Sequence, residues 1–280
     1  MIVDLHTHST ASDGTTPPDV LVREAREAGL SVLALTDHDT SVGWAAAADA
    51  LPSGLALVRG AEISCVHDGI SLHLLAYLYD PDEPALAATL QDMRDSRRAR
   101  AERMARMLEA DGTGVTWERV QELAGGTVGR PHLAQALIEL GHVADIRGAF
   151  VPEWIGTRGR YWVPKRDLDV LDAIRLVAAA GGVTVFAHPA ASSRGRIVDE
   201  EVIAQMAEAG LHGLEVDHYD HEPEVRDALR GLAADLGLLV TGSSDFHGDN
   251  KPVELAENTT AVEMYERLVS AATGLEVLAA

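Results

Sequence analysis

The chain has little cysteine, few aromatics and few cations. A single cysteine, Cys65, excludes an internal disulfide and suits a reducing compartment. Three phenylalanines and an aromatic share of 4% leave the core to Leu, Val, Ile and Ala. Lys and Arg number 23 against 44 Asp and Glu, a formal net charge of −21. That balance argues against gripping duplex DNA by charge alone, though bound metal ions can reverse the sign locally for a phosphorylated substrate. No apolar run nears the roughly 20 residues that a membrane-crossing helix needs. No basic stretch leads into an apolar one at the N-terminus. The expectation is a cytoplasmic protein without a membrane partner.

The chain does have length and alternation. Its 280 residues, 46% of them hydrophobic, suffice for one large domain or a domain with a substantial insertion. Short β-branched runs read as strands: MIVDL, SVLALT, LALVRGAEI, SLHLLAYL, GVTVFAHP, GLEVDH and GLLVTGSSD. Helical patterns lie between several of them, including PPDVLVREAREAG, with prolines at its start and Gly29 after its end. Such alternation predicts parallel βα units and, with about seven strands, a barrel more than an open sheet.

From Pro84 to Arg160 the rhythm breaks into helical patterns alone. The reading is an inserted helical cap over 84–160, dividing a barrel made of 1–83 and 161–280. Six arginines stand at 94, 97, 98, 100, 103 and 106. A solvated helix face with nearby acids is one reading of them, a basic rim that attracts phosphate the other.

Metal-type residues gather at strand ends. His6, His8 and Asp13 follow the first run; Asp37, His38 and Asp39 the second. His188 follows GVTVFA, and Asp245 and His247 follow the last run. Glu62 and His73 lie nearer the middle of theirs. Active sites of parallel βα barrels lie where the C-terminal strand ends converge. An H-x-H pair on a strand turns both rings to one side, and imidazole with carboxylate suits zinc, manganese or iron. Each motif alone is weak, and buried, hydrogen-bonded histidines are the standing alternative. Their recurrence at successive strand ends favours a metal cluster.

Six segments carry a family resemblance: DLHTHSTASDG, LTDHDT, GAEIS, LHLLAY, FAHPA and GSSDFHG. In this order, over nearly the whole chain, they resemble the PHP (polymerase and histidinol phosphatase) metal-dependent phosphoesterases. GRPHLA at 129–134 further resembles the branch acting on nucleoside phosphates and short RNA. The resemblance implies an α/β fold, a distorted (β/α)7 TIM-like barrel with a helical insertion. It also implies two or three divalent ions (Mn, Zn, Fe or Mg). His6, His8, Glu62 and Asp245 would hold the first; Asp13, His38 and His247 the second. Glu62 would bridge to a third, completed by His73 and His188. The family often has histidine where Asp13 stands, though aspartate also occurs in this branch.

The expected chemistry is metal-assisted hydrolysis of a nucleotide phosphomonoester, from a nucleoside monophosphate or 3′,5′-bisphosphate, extending to 5′-end trimming of short single-stranded RNA. Arg130 and Arg194 are candidates for a guanidinium clamp on phosphate. His132 is a candidate donor to the leaving oxygen, or a packing residue at a helix start. His218 and His221 are candidate substrate contacts. Asp4, Asp37 and Asp39 are candidates for orienting ligand imidazoles, with turn or capping roles as the alternative. The competing functions are a histidinol-phosphate phosphatase and a metal-stabilised regulatory module without turnover.

Overall fold

A computed structural model describes every residue except 125, 193 and 194. The main strands are β1 (Val3–Thr7), β2 (Val32–Leu35), β3 (Ala56–His67) and β4 (Ile70–Tyr77), then β6 (Val183–Phe186), β7 (Gly213–Asp217) and β8 (Leu239–Gly242). They form one sheet in the order β1-β2-β3-β4-β6-β7-β8, with two-residue strands β5 (Leu168–Asp169) and β9 (Leu278–Ala279) pairing onto β3. The His8 amide donates to the Phe246 carbonyl at 2.9 Å, which brings the first strand's end to the last. The result is a nearly closed, distorted (β/α)7 barrel.

The strands read as continuous apolar runs because both faces are buried. Leu33 and Leu35 join the layer beneath α1 (Pro18–Glu27) and the other outer helices. Val32 and Ala34 join a second cluster, which α10 (Val262–Ala271) closes through Leu268.

One expectation fails. The strands are not all parallel: β4 runs antiparallel to both β3 and β6. Only Asp68 and Gly69 separate β3 from β4, and no crossover helix fits between them. Both have positive φ, 46° and 70°, the pattern of a tight hairpin turn. The reversal sets His73 opposite Ser64, two residues past Glu62, so both candidate ligands stand at mouth level.

Helix α3 (Pro84–Ala110) leaves the barrel and joins two cores. Leu86, Leu90 and Met93 pack into the barrel's layer. Ala101, Met104, Ala105 and Leu108 pack with α4 (Trp117–Leu123) and α5 (Arg130–Glu139) around Trp117, Leu133 and Leu137. The helical pattern expected as far as Arg160 gives only a single turn after α5, α6 (Ile146–Ala149), since Gly148 and Pro152 favour turns over continued helix. Helices α7 (Val170–Ala179), α8 (Glu200–Glu208) and α9 (Pro223–Leu236) return to the barrel pattern. Among the described residues no helix is long and apolar enough to cross a membrane.

Candidate metal centre

The strand ends deliver their polar residues into one buried cluster. Glu62 is its hub. Its Oε1 lies 2.7 Å from His73 Nδ1 and 3.0 Å from His188 Nε2. Its Oε2 lies 3.2 Å from His6 Nε2, 3.1 Å from His8 Nε2 and 3.3 Å from His38 Nδ1. Five imidazoles thus surround one carboxylate. Asp245 Oδ1 stands 3.3 Å from His6 Nε2 and 3.6 Å from His8 Nε2. Asp13 faces His8 Nδ1 at 3.5 Å, His247 Nε2 at 3.4 Å and His38 Nε2 at 3.6 Å.

Three groups of ligand atoms result, each within 4.8 Å: His6, His8, Glu62 and Asp245; His8, Asp13, His38 and His247; and His38, Glu62 and His73. The first two contain the sets expected from the sequence, His8 adding its second nitrogen to the other group. The third differs: His38 completes it, while His188 meets Glu62 at the same oxygen, Oε1, as His73.

These residues fit cations. His38 Nδ1 and His73 Nδ1 are buried and make no hydrogen bond, although each points at Glu62. His6 and His8 bring their Nε2 atoms within 3.0 Å of each other. Burial opposes charge on Glu62, but His73, His38 and His6 hold its carboxyl well below the usual range. Burial likewise opposes charge on Asp13, while His38 and His247 hold it low. Burial pushes His38 down to about 3 and His247 to about 4, so both rings are neutral near pH 7, the form that ligates. Mixed imidazole and carboxylate donors suit zinc, manganese or iron.

The loops around the cluster are pinned. Asp37 accepts from the Ser9 amide at 2.8 Å and from the hydroxyls of Ser9 and Ser12 at 2.7 and 2.6 Å, fixing the turn between His8 and Asp13. Asp39 accepts from the Ser64 amide at 2.7 Å and Arg97 Nη2 at 2.7 Å. Asp4 accepts from the Ser244 and Ala256 amides, each at 3.1 Å. All three aspartates therefore hold backbone and loops more than imidazoles. Asp39, His188 and Asp245 have φ of 55°, 32° and 55°, a left-handed backbone that turns the chain sharply at these strand ends.

Glu215 was missed by sequence reasoning. Its Oε1 lies 2.9 Å from His6 Nδ1, and its Oε2 accepts the His188 amide at 2.7 Å. Its one signal was an acid inside the apolar strand GLEVD.

Other expected roles do not match their placement. His218 and His221 are buried and do not line the cavity over the cluster. His218 Nδ1 accepts the Asp220 amide at 3.0 Å, which leaves Nε2–H to donate to Asp245 Oδ2 at 3.2 Å. His221 Nδ1 donates to the Val216 carbonyl at 2.9 Å, and its Nε2 accepts the Ala190 amide at 3.2 Å. His132 takes the helix-start alternative expected of it: it is buried, and its Nδ1 accepts the Gly129 amide at 3.0 Å, capping α5. Arg194 lies outside the described residues.

The cavity has a volume of about 640 Å³. Asp13, His38, His73, His188 and His247 form its floor. Arg97, Arg100, Arg130 and Arg147 face it from the cap, and Lys165, Arg196 and Lys251 from the barrel side. The arginine-rich helix has two sides. Arg94 donates to the Asp39 carbonyl at 2.8 Å and Arg97 to Asp39. Arg106 pairs outward with Glu102 at 2.9 Å, the solvated arrangement.

The cap is tied to the ligand loops. The Thr127 amide donates to the Ala11 carbonyl at 2.9 Å, beside Gly126, where a Cβ would come within 2.1 Å of that oxygen. Gln135 donates to Asn250 at 3.1 Å, and Asn250 donates to the Asp13 carbonyl at 2.8 Å.

Known proteins resemble this chain over most of its length. The PHP domain family matches residues 4–124. A 5′-3′ exoribonuclease of Haemophilus influenzae is 33% identical over 93% of this chain and 95% of its own. A 3′,5′-nucleoside bisphosphate phosphatase of Chromobacterium violaceum is 33% identical over 88% of this chain and 87% of its own. The crystal structure of a metal-dependent phosphoesterase from Bifidobacterium adolescentis superposes with a TM-score of 0.91 at 36% identity, covering 97% of this chain and 96% of the other.

Proposed function

This chain belongs to the PHP family of metal-dependent phosphoesterases, and from that premise we propose that it hydrolyses a phosphomonoester of a nucleotide. The substrates in this reading are nucleoside monophosphates and 3′,5′-bisphosphates, with 5′-end trimming of short single-stranded RNA as an extension. The observation that carries the reading is a cavity with metal-type ligands on its floor and guanidinium groups on its cap wall, in a chain of net charge −21. Histidinol phosphate is the weaker candidate, because the helical insertion carrying Arg130 walls a cavity of about 640 Å³, which suits a larger substrate.

His6, His8, Glu62 and Asp245 would hold one divalent ion, and Asp13, His38 and His247 with His8 a second. Glu62, His73 and His38, with His188 alongside, would hold a third. Bound there, the ions would supply Lewis acidity to the phosphate oxygens and acidify a water. The chain's own residues do the rest. Glu215 fixes the His6 ring through Nδ1, leaving Nε2 to face the cluster. Lys251 and His218 hold Asp245 Oδ2 at 2.6 and 3.2 Å, which aims Oδ1 inward. Arg130, over the Phe150 ring at 4.8 Å, presents a guanidinium to a phosphate group. Residues 84–160 serve as a cap domain that narrows the mouth and limits water.

The test is a phosphate-release screen over nucleoside monophosphates, 3′,5′-bisphosphates, histidinol phosphate and short 5′-phosphorylated RNA. Metal-depleted protein is refilled separately with manganese, zinc, iron or magnesium. Turnover of nucleotides above histidinol phosphate is expected; the reverse order would overturn the substrate assignment.

A further inference from the structure

The turn between His8 and Asp13 is held from two sides. Asp37 grips one side through Ser9 and Ser12. The inserted helices meet the other. The Ala11 carbonyl accepts the Thr127 amide at 2.9 Å, and Gly126 approaches so closely that a Cβ there would fall 2.1 Å from the same oxygen. The buried His132 ring reaches the Ser12 backbone. Gln135 of α5 donates to Asn250 Oδ1 at 3.1 Å, and Asn250 Nδ2 donates to the Asp13 carbonyl at 2.8 Å. Asn250 lies in the loop that carries His247, whose carbonyl accepts the Thr15 amide at 3.1 Å. A further contact falls on Asp39, the neighbour of His38. It takes Arg94 at its carbonyl and Arg97 at its carboxylate.

These contacts land on the loops of one group of candidate ligands, His8, Asp13, His38 and His247. The group of His6, Glu62 and Asp245 is held differently. His6 rests on Glu215 of β7, Asp245 on His218 and Lys251, and Glu62 sits in the β3–β4 ladder. None of these partners lies in 84–160. Arg97 also touches Ser64, two residues past Glu62, but the ladder already holds that backbone. Hydrogen bonds to the Ala11 and Asp13 carbonyls fix the turn itself, and so the direction in which the Asp13 carboxylate leaves it. We propose that Gly126, Gln135 and Asn250 are positioning residues for the second ion. Seating of the inserted helices on the ligand loops sets that ion's affinity and leaves the ion of His6, Glu62 and Asp245 unaffected. The inference rests on the ion assignments proposed above. It makes closure of the cavity and occupancy of the second ion one linked equilibrium: each stabilises the other by the same factor.

The experiment titrates metal-depleted protein with manganese and reads the free ion by electron paramagnetic resonance. Wild type is compared with Gln135→Met, Gly126→Ala, Asp13→Ala and Arg130→Ala. The step that Asp13→Ala removes is the second ion's. Gln135→Met and Gly126→Ala should weaken that step by about tenfold, the usual scale for losing a group that orients a ligand, and leave the other steps as in wild type. Arg130→Ala, on the same helix but set against Ile155 and Phe150, should bind as wild type does. Hydrogen exchange gives the reciprocal reading. Manganese should slow exchange of the Thr127 amide by about tenfold in wild type and leave it unchanged in Asp13→Ala. A native second step in either Gln135→Met or Gly126→Ala overturns the proposal. So does equal weakening of every step, the mark of general destabilisation, or the same weakening in Arg130→Ala. A Thr127 amide indifferent to manganese in wild type overturns it as well. Wild type that binds no manganese, or Asp13→Ala that loses no step, overturns the ion assignments themselves, and the proposal with them.

Discussion

The floor and the cap wall of the cavity are built on opposite plans. The floor is made of imidazoles and carboxylates that meet within 2.7–3.6 Å around Glu62 and Asp13. Most floor residues follow a strand end, while Glu62 and His73 stand within β3 and β4. The cap wall is made of long guanidinium side chains spread over α3, α5 and α6, and three of them, Arg100, Arg130 and Arg147, have no carboxylate partner among the described residues. The floor is suited to holding cations, the wall to receiving anions. On the proposed function, chemistry and recognition would be divided between the barrel and residues 84–160.

The largest expected effect comes from emptying the floor. Chelation of the ions should lower phosphate release by roughly a thousandfold, given the several kcal/mol that Lewis-acid stabilisation supplies. It should also lower the melting temperature, since buried carboxylates would lose their countercharge. Activity that persists in protein shown to be metal-free by elemental analysis would break the division of labour.

Changes on the wall should leave metal in place. Arg130→Ala is expected to reduce kcat/KM by roughly a hundredfold, the scale of one lost electrostatic donor, with unchanged metal stoichiometry. Loss of metal in this variant would mean that wall and floor are not separable. Leu137→Ala, in the cap's own core, should cost about 2–5 kcal/mol of stability in denaturant unfolding. The smallest effect belongs to the outward side of α3. Arg106→Ala removes an exposed pair with Glu102 and should change stability by no more than about 0.5 kcal/mol, with kinetics altered less than about twofold. A large kinetic loss there would show that the outer arginines also meet substrate.

The same contrast explains what the sequence disclosed. Floor residues sit in short motifs at strand ends, where period-two geometry and the barrel's polarity say which way they point. His6, His8, Asp13, His38, Asp245 and His247 could therefore be marked as facing one mouth; their division with Glu62 into ion sites came from the family resemblance, and the groups meet in space. The strands themselves were legible because burial on both faces makes them apolar throughout. The Asp68–Gly69 turn was overlooked, although its residues favour a hairpin, so the reversal of β4 came as a correction. Glu215 escaped because a buried acid inside a strand declares no partner in the sequence.

The wall was less legible. Arg97 and Arg106 belong to one run, yet one reaches Asp39 and the other faces solvent. Helical periodicity gives their relative directions, but only the packing of α3 against the barrel says which direction is inward. Lys165 lies in an irregular segment with no periodic signal at all. His218 and His221 show the converse error. Near the mouth in sequence, they are turned inside and saturated by Asp245, Val216 and local amides.

The most direct test is on the hub. Glu62→Ala should be purified alongside wild type, with metal per chain measured by elemental analysis and phosphate release assayed on the same sample. The account expects bound metal to fall by at least one ion per chain and phosphate release to fall roughly a thousandfold, with the fold kept by circular dichroism. Native metal content and native turnover in that variant would contradict it.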